Sequence, residues 1–71
     1  MTTIEQVSKK LAEARKNSNY TQQEVANKLS IHLSQWQKYE YGKIQLDYDK
    51  IIAVCEIFGI SADYLLGLSD I

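Results

Sequence analysis

Apolar residues recur along this chain at intervals of three and four, and the recurrence is interrupted by residues that start or stop helices. Val7, Leu11 and Ala14 lie on one stripe of a segment running from about Ile4 to Asn17. A second segment, Gln22 to Leu29, offers Val25, Ala26 and Leu29 for burial, and a third covers about Leu33 to Tyr41. The fourth, Tyr48 to Phe58, carries Ile51, Ile52, Val54, Cys55 and Phe58, and a short fifth runs from Ala62 to Leu66. Start signals stand where this period needs them. Thr3 with Gln6 and Thr21 with Glu24 have capping-box spacing, and Asp47 and Ser61 can cap two further helices. Tyr20 and Val25 stand at the spacing of a hydrophobic staple, as do Ile60 and Leu65. Gly42, Gly59 and Gly67 each follow a periodic segment, where a helix ends most readily. No segment alternates at period two for long enough to make a strand. The pattern predicts an all-α, compact five-helix bundle forming one domain over residues 1–71.

Composition narrows the class. Seventy-one residues can bury one modest core, and 45% apolar with 24% charged residues is ordinary globular composition. One cysteine excludes an internal disulfide framework and a cysteine-rich zinc module. The longest apolar run, Ile51 to Cys55, is too short to span a membrane, so a reduced, cytoplasmic protein with no membrane partner is expected. The net charge is −1, but it is unevenly spread. Residues 1–43 carry seven Lys/Arg against four acids, net +3, whereas from Ile44 onward Lys50 faces five acids, net −4. A basic half of this kind can face phosphate.

The third predicted helix is the most informative. At 100° per residue, Trp36 and Tyr39 fall on one side with Glu40 at its margin. Leu33, Ser34, Gln37, Lys38 and Tyr41 fall on the other, a hydrogen-bonding row with one leucine. Such a row suits the major groove, about 12 Å wide, which admits one helix. Ser34 can bond several base edges, Lys38 can reach guanine acceptors, and Leu33 can lie against a thymine methyl. The short preceding helix and the turn Ser30-Ile31-His32 complete a helix-turn-helix arrangement.

Thr21 to Leu29, then Trp36 to Tyr39 and Glu40-Tyr41-Gly42-Lys43, resemble the Cro/C1-type (XRE-like) helix-turn-helix family of phage and bacterial repressors. Phe58 to Gly67 resembles that family's last helix, so the likeness runs from about Ile4 to Gly67. It implies a lambda-repressor-like DNA-binding bundle. Ala26 matches the small residue where the two helices cross, and Val25, Leu29, Ile31, Trp36 and Tyr39 match core positions. Arg15 matches an arginine that relatives pair with the glutamate matched by Glu40. Leu33, Ser34, Gln37 and Lys38 match positions used against bases, and Gln22, Tyr41 and Lys43 match positions used against phosphate. Four residues or stretches depart from the family pattern. Ser30 stands for the usual turn glycine, and His32 for the usual Ser/Thr cap, although its protonated ring can contact phosphate. Trp36 replaces a smaller Ile or Val, and the loop Lys43-Ile44-Gln45-Leu46 lacks the usual proline.

Catalytic patterns are missing. His32 is the only histidine, Cys55 has no base near it in the pattern, and there is no glycine-rich phosphate loop or carboxylate pair. No enzyme activity, metal or cofactor is expected. Tyr20, Tyr48 and Tyr64, at helix starts or core margins, are expected to serve packing. The expected function is a sequence-specific regulator of transcription on double-stranded DNA, a repressor binding an inverted repeat as a homodimer. Leu66, Leu68 and Ile71 are the candidate dimer surface. The alternative is an antitoxin or adaptor that uses the domain to grip a protein partner, such as a toxin or antirepressor, through Leu33, Trp36 and the tyrosines. Its support is the near-neutral charge and the weakly basic loop.

Overall fold

Five helices follow one another along residues 3–69, the part of the chain that the computed structural model describes. They are α1 (Thr3–Asn17), α2 (Gln22–Leu29), α3 (Leu33–Glu40), α4 (Tyr48–Phe58) and α5 (Ala62–Leu65). No strand occurs among the described residues. α1 packs against α3, α4 and α5, while α2 packs against α3 and α4 against α5. The core where they meet holds Leu11, Val25, Ala26, Trp36, Tyr39, Val54 and Leu65. Val7, Tyr20, Leu29, Ile31, Ile51, Cys55, Phe58 and Ile60 close over it, half-buried.

Trp36 is fully buried, and its bulk is absorbed by other aromatic rings. Its ring centroid lies 6.1 Å from Tyr39, edge to face, and 6.2 Å from Phe58. Phe58 in turn stands 6.4 Å from Tyr20. Four rings thus link the start of α2, the middle of α3 and the end of α4. Contacts at such centroid distances add to what apolar burial contributes.

The helices begin and end by local chemistry. Thr21 accepts from the Glu24 backbone N–H at 3.0 Å while its own N–H donates to Glu24 Oε1 at 2.8 Å, a complete capping box. The Lys50 N–H donates to Asp47 Oδ1 at 2.8 Å, and the Tyr64 N–H donates to Ser61 Oγ at 3.0 Å. Every helix ends at a residue in the left-handed region, namely Asn19, Ser30, Gly42, Gly59 and Gly67. In each case the following N–H reaches back five residues: Tyr20 to the Arg15 carbonyl, Ile31 to Ala26, Lys43 to Lys38, Ile60 to Cys55 and Leu68 to Asp63. This is the Schellman arrangement, which satisfies carbonyls that the helix leaves open. Gly42 has φ +73°, and a Cβ there would come 3.3 Å from Ser8 Oγ, so the end of α3 lies close against α1 at this glycine.

Some expectations are corrected. Thr3 is the first residue of α1 and not its cap, so the capping position falls outside the described residues. α3 ends at Glu40 with Tyr41 as its C-cap, and α5 at Leu65 with Leu66 as its C-cap. Ile52 is 58% exposed and Tyr48 86% exposed, against the expectation of packing. α1 and α5 cover α4 on the side of Ile51, Val54, Cys55 and Phe58, and residues 48 and 52 lie one turn apart away from that side.

Candidate nucleic-acid interface

α2, the turn Ser30-Ile31-His32 and α3 form one packed unit. Ala26 is fully buried in α2 as part of the core. Ser30 holds φ 57° and ψ 42°, a conformation usually left to glycine, and its neighbour Ile31 turns inward to cover the core. His32 then sets the start of α3 with extended backbone at φ −71° and ψ 149°. Its side chain makes no capping bond and is exposed. At the start of α3 the His32 carbonyl, and not its side chain, accepts from the backbone, from Gln35 at 3.0 Å and from Trp36 at 3.2 Å.

The inner side of α3 is Trp36, Tyr39 and Glu40, all buried. On the outer side Ser34 and Lys38 are exposed and Leu33 and Gln37 half-buried, with Leu33 less open than the sequence pattern suggests. Tyr41 and Lys43 are exposed just beyond the helix, and the Schellman bond from Lys43 folds that residue back over the last turn. Neither Lys38 nor Lys43 forms an ion pair among the described residues. Two other lysines are engaged. Lys10 Nζ donates to the Tyr64 carbonyl at 2.6 Å and sits 4.7 Å from that ring centroid, and Lys28 lies 5.1 Å over Tyr20. Leu68 is 77% exposed and Leu66 is exposed at the other end of the chain, while Ile71 lies outside the described residues.

Between the two sides of α3 runs a polar network centred on Glu40. Its side chain is 3% exposed, and its carboxylate accepts from Arg15 through both oxygens, Nε to Oε2 at 2.6 Å and Nη2 to Oε1 at 3.2 Å. Arg15 Nη1 also donates to the Tyr20 carbonyl at 3.0 Å, so one guanidinium ties α1, the α1–α2 connection and α3 together. The Trp36 indole N–H donates to Glu40 Oε2. Gln22 Nε2 donates to Glu40 Oε1 at 3.2 Å and to the Tyr41 hydroxyl at 3.4 Å, and Gln37 Nε2 donates to Gln22 Oε1 at 3.2 Å. No buried side-chain polar atom lacks a partner among the described residues. A fully satisfied buried network of this kind fixes one arrangement of its members.

Two of these links were not anticipated from the sequence. The indole bond to Glu40 is an (i, i+4) contact along α3, and that spacing is legible in retrospect. The Gln22–Gln37 bond joins two helices, and nothing in the spacing marks it. The Cys55 thiol is half-buried on α4, and burial pushes it above its ordinary value of 9.0. No helix among the described residues is long and apolar enough to cross a membrane.

Comparison with known proteins agrees with this geometry. A family profile described as a helix-turn-helix domain matches residues 8–71. The chain is 35% identical over 65 residues to the HTH-type transcriptional regulator ImmR of Bacillus subtilis (strain 168), an overlap covering 92% of this chain and 51% of that protein. It is 39% identical over 59 residues to the uncharacterized HTH-type transcriptional regulator YqaE of the same strain, covering 83% and 51%. A third relative there, the SPbeta prophage-derived uncharacterized HTH-type transcriptional regulator YonR, is 35% identical over 57 residues, covering 80% and 53%. The chain spans about half the length of the curated relatives it matches. This family is non-enzymatic, in agreement with the missing catalytic patterns. With α2, a three-residue turn and α3 packed as one unit within the matched residues, the chain belongs to the Cro/C1-type helix-turn-helix family.

Proposed function

We propose that this chain binds double-stranded DNA sequence-specifically and regulates transcription as a repressor, with α3 in the major groove. The observation that carries this reading is the division of α3. Trp36, Tyr39 and Glu40 lock it to the core, and Leu33, Ser34, Gln37 and Lys38 are left facing outward in a row. Lys38 meets guanine acceptors, Ser34 a base edge and Leu33 a thymine methyl. Around this row the phosphate contacts are Lys43, Tyr41, His32 and the backbone N–H of Gln22, which opens α2 where a helix favours an anion. The relatives named as transcriptional regulators support the regulatory part of this reading.

One helix reads few base pairs, so the operator is an inverted repeat occupied by two copies, with half-sites about one helical turn apart. Leu66, Leu68 and Ile71 are the proposed contact between the copies. The test is selection from random duplex DNA at moderate salt, with sequencing of what is retained. A short inverted repeat is expected, and retention of nothing beyond background would defeat the reading.

A second reading, a module that docks on a protein partner such as a toxin or antirepressor, is favoured by the exposed apolar side chains of Tyr48, Ile52 and Leu68. Salt separates the two. Binding through phosphates weakens steeply as salt rises, whereas binding through an apolar face does not.

A further inference from the structure

We infer that Gln37 reads adenine at one position of each half-site, and that Gln22 is the positioning residue that fixes which edge of the Gln37 amide faces outward. This rests on the DNA-binding reading above and deepens it by naming a base.

The chain of bonds begins at Glu40. Held by the Arg15 guanidinium, its carboxylate has only acceptors to offer. Gln22 lies 3.2 Å away, so the NH2 end of its amide must be the end turned toward Glu40, because the reverse orientation sets oxygen against oxygen. The same nitrogen also donates to the Tyr41 hydroxyl at 3.4 Å. Gln22 Oε1 is then the atom that faces Gln37, and only an N–H can meet it, at 3.2 Å. A charge in the core therefore sets the polarity of two successive amides, the second of which is half-buried on the outward row of α3.

Gln37 keeps one amide hydrogen and its Oε1, neither bonded to protein among the described residues. A donor beside an acceptor matches adenine, which presents its N6 amino group and N7 side by side in the major groove. Guanine presents two acceptors there and would set an oxygen against the Gln37 oxygen. Cytosine offers only a donor, and thymine an acceptor and a methyl. Without Gln22 the Gln37 amide is free to rotate, and either end can face the groove.

The experiment is selection from random duplex DNA with the wild-type chain, Gln37→Ala and Gln22→Met, followed by competition binding with duplexes changed at single positions. Methionine keeps the stem length and helix propensity of Gln22 while removing its amide; Gln22→Ala is the second variant, and thermal melts establish that each is folded. Gln37→Ala is expected to erase preference at one base pair per half-site, which identifies the pair. At that pair the wild type should favour adenine by about 5- to 150-fold, the range of a good bidentate contact. Gln22→Met should reduce this ratio to below about threefold while leaving preferences elsewhere intact, a pattern that a purely structural loss does not produce.

A second readout needs no DNA. The side-chain amide resonances of Gln37 in the free, nitrogen-15-labelled chain should move in Gln22→Met, and resonances that stay in place overturn the inference. Preference for another base at the identified pair overturns it, as does an unchanged ratio in Gln22→Met; both leave the DNA reading intact. A wild-type chain that retains no duplex overturns both.

Discussion

Glu40 sits where three demands meet. It neutralises Arg15, satisfies the Trp36 indole and orients Gln22, and all its acceptor capacity lies inside the protein. Removing one partner leaves the other charge buried without compensation. Arg15→Ala is expected to cost about 3–5 kcal/mol, read as a loss of the urea midpoint followed by Trp36 fluorescence. A loss under about 1 kcal/mol would mean that the pair is no more than a surface bridge. The pairing partner of Arg15 came from family likeness, because 25 residues separate it from Glu40 and no local pattern links them. The burial of Glu40 was foreshadowed only by its place at the margin of the Trp36–Tyr39 stripe. Cys55 adds a small pH effect. Its folded thiol titrates above 9.0, so the stability linked to it is fully present below that value and lost as pH rises through the raised one. Replacement by alanine should flatten the alkaline limb of stability against pH, and an unaltered limb would assign that limb to other groups.

Among the elements, the helices are bounded by chemistry that sequence reading handles well, with Thr3 and Asn19 as exceptions. The capping residues Thr21, Asp47 and Ser61 and the glycines at 42, 59 and 67 are the residue types those positions favour. Asn19 was missed as a helix stop, although asparagine enters the left-handed region more readily than most residues. Ser30 makes the same turn with a Cβ in the way. Ser30→Gly should therefore stabilise the domain by about 0.5–1 kcal/mol, the relief of left-handed strain exceeding the entropy cost of glycine. Gly42→Ala should act in the opposite sense, losing about 1–2 kcal/mol to strain at φ +73° and to the close approach of Ser8. Thermal melts of the two variants decide both, and a shift of the same sign in each would refute the account of the helix ends. The exposed side of α4 was misjudged for another reason. Ile51 and Ile52 are equally apolar, and only the placement of α1 and α5 determines which of them is covered.

For the whole molecule, charge placement matters more than net charge. Lys38 and Lys43 stand outward near α3, whereas Lys10 and Lys28 are turned back onto tyrosines. Lys38→Ala should relax preference at one base pair, and Lys43→Ala should weaken every sequence alike and lower the salt slope by about one. Binding isotherms over a salt series would show this, and two variants that both behave as wild type would remove α3 from the groove. Sedimentation on a duplex carrying the selected repeat should find two copies bound, and a single copy would rule out the proposed pairing of half-sites.

The length of α3 has a consequence for how much text the protein can read. Eight residues rise about 12 Å, which spans about four base pairs at about 3.4 Å each. Four base pairs hold about eight bits, a word that chance repeats about once in 256 positions; two copies hold about sixteen bits, repeated about once in 65,000. A genome offering about a million or more competing sites contains that longer word many times over. If two copies read DNA as proposed, direct reading by α3 alone is therefore an incomplete address. On the proposed function, the missing bits are written in the base pairs between the half-sites, which no side chain touches and whose stiffness decides whether two copies can dock at once.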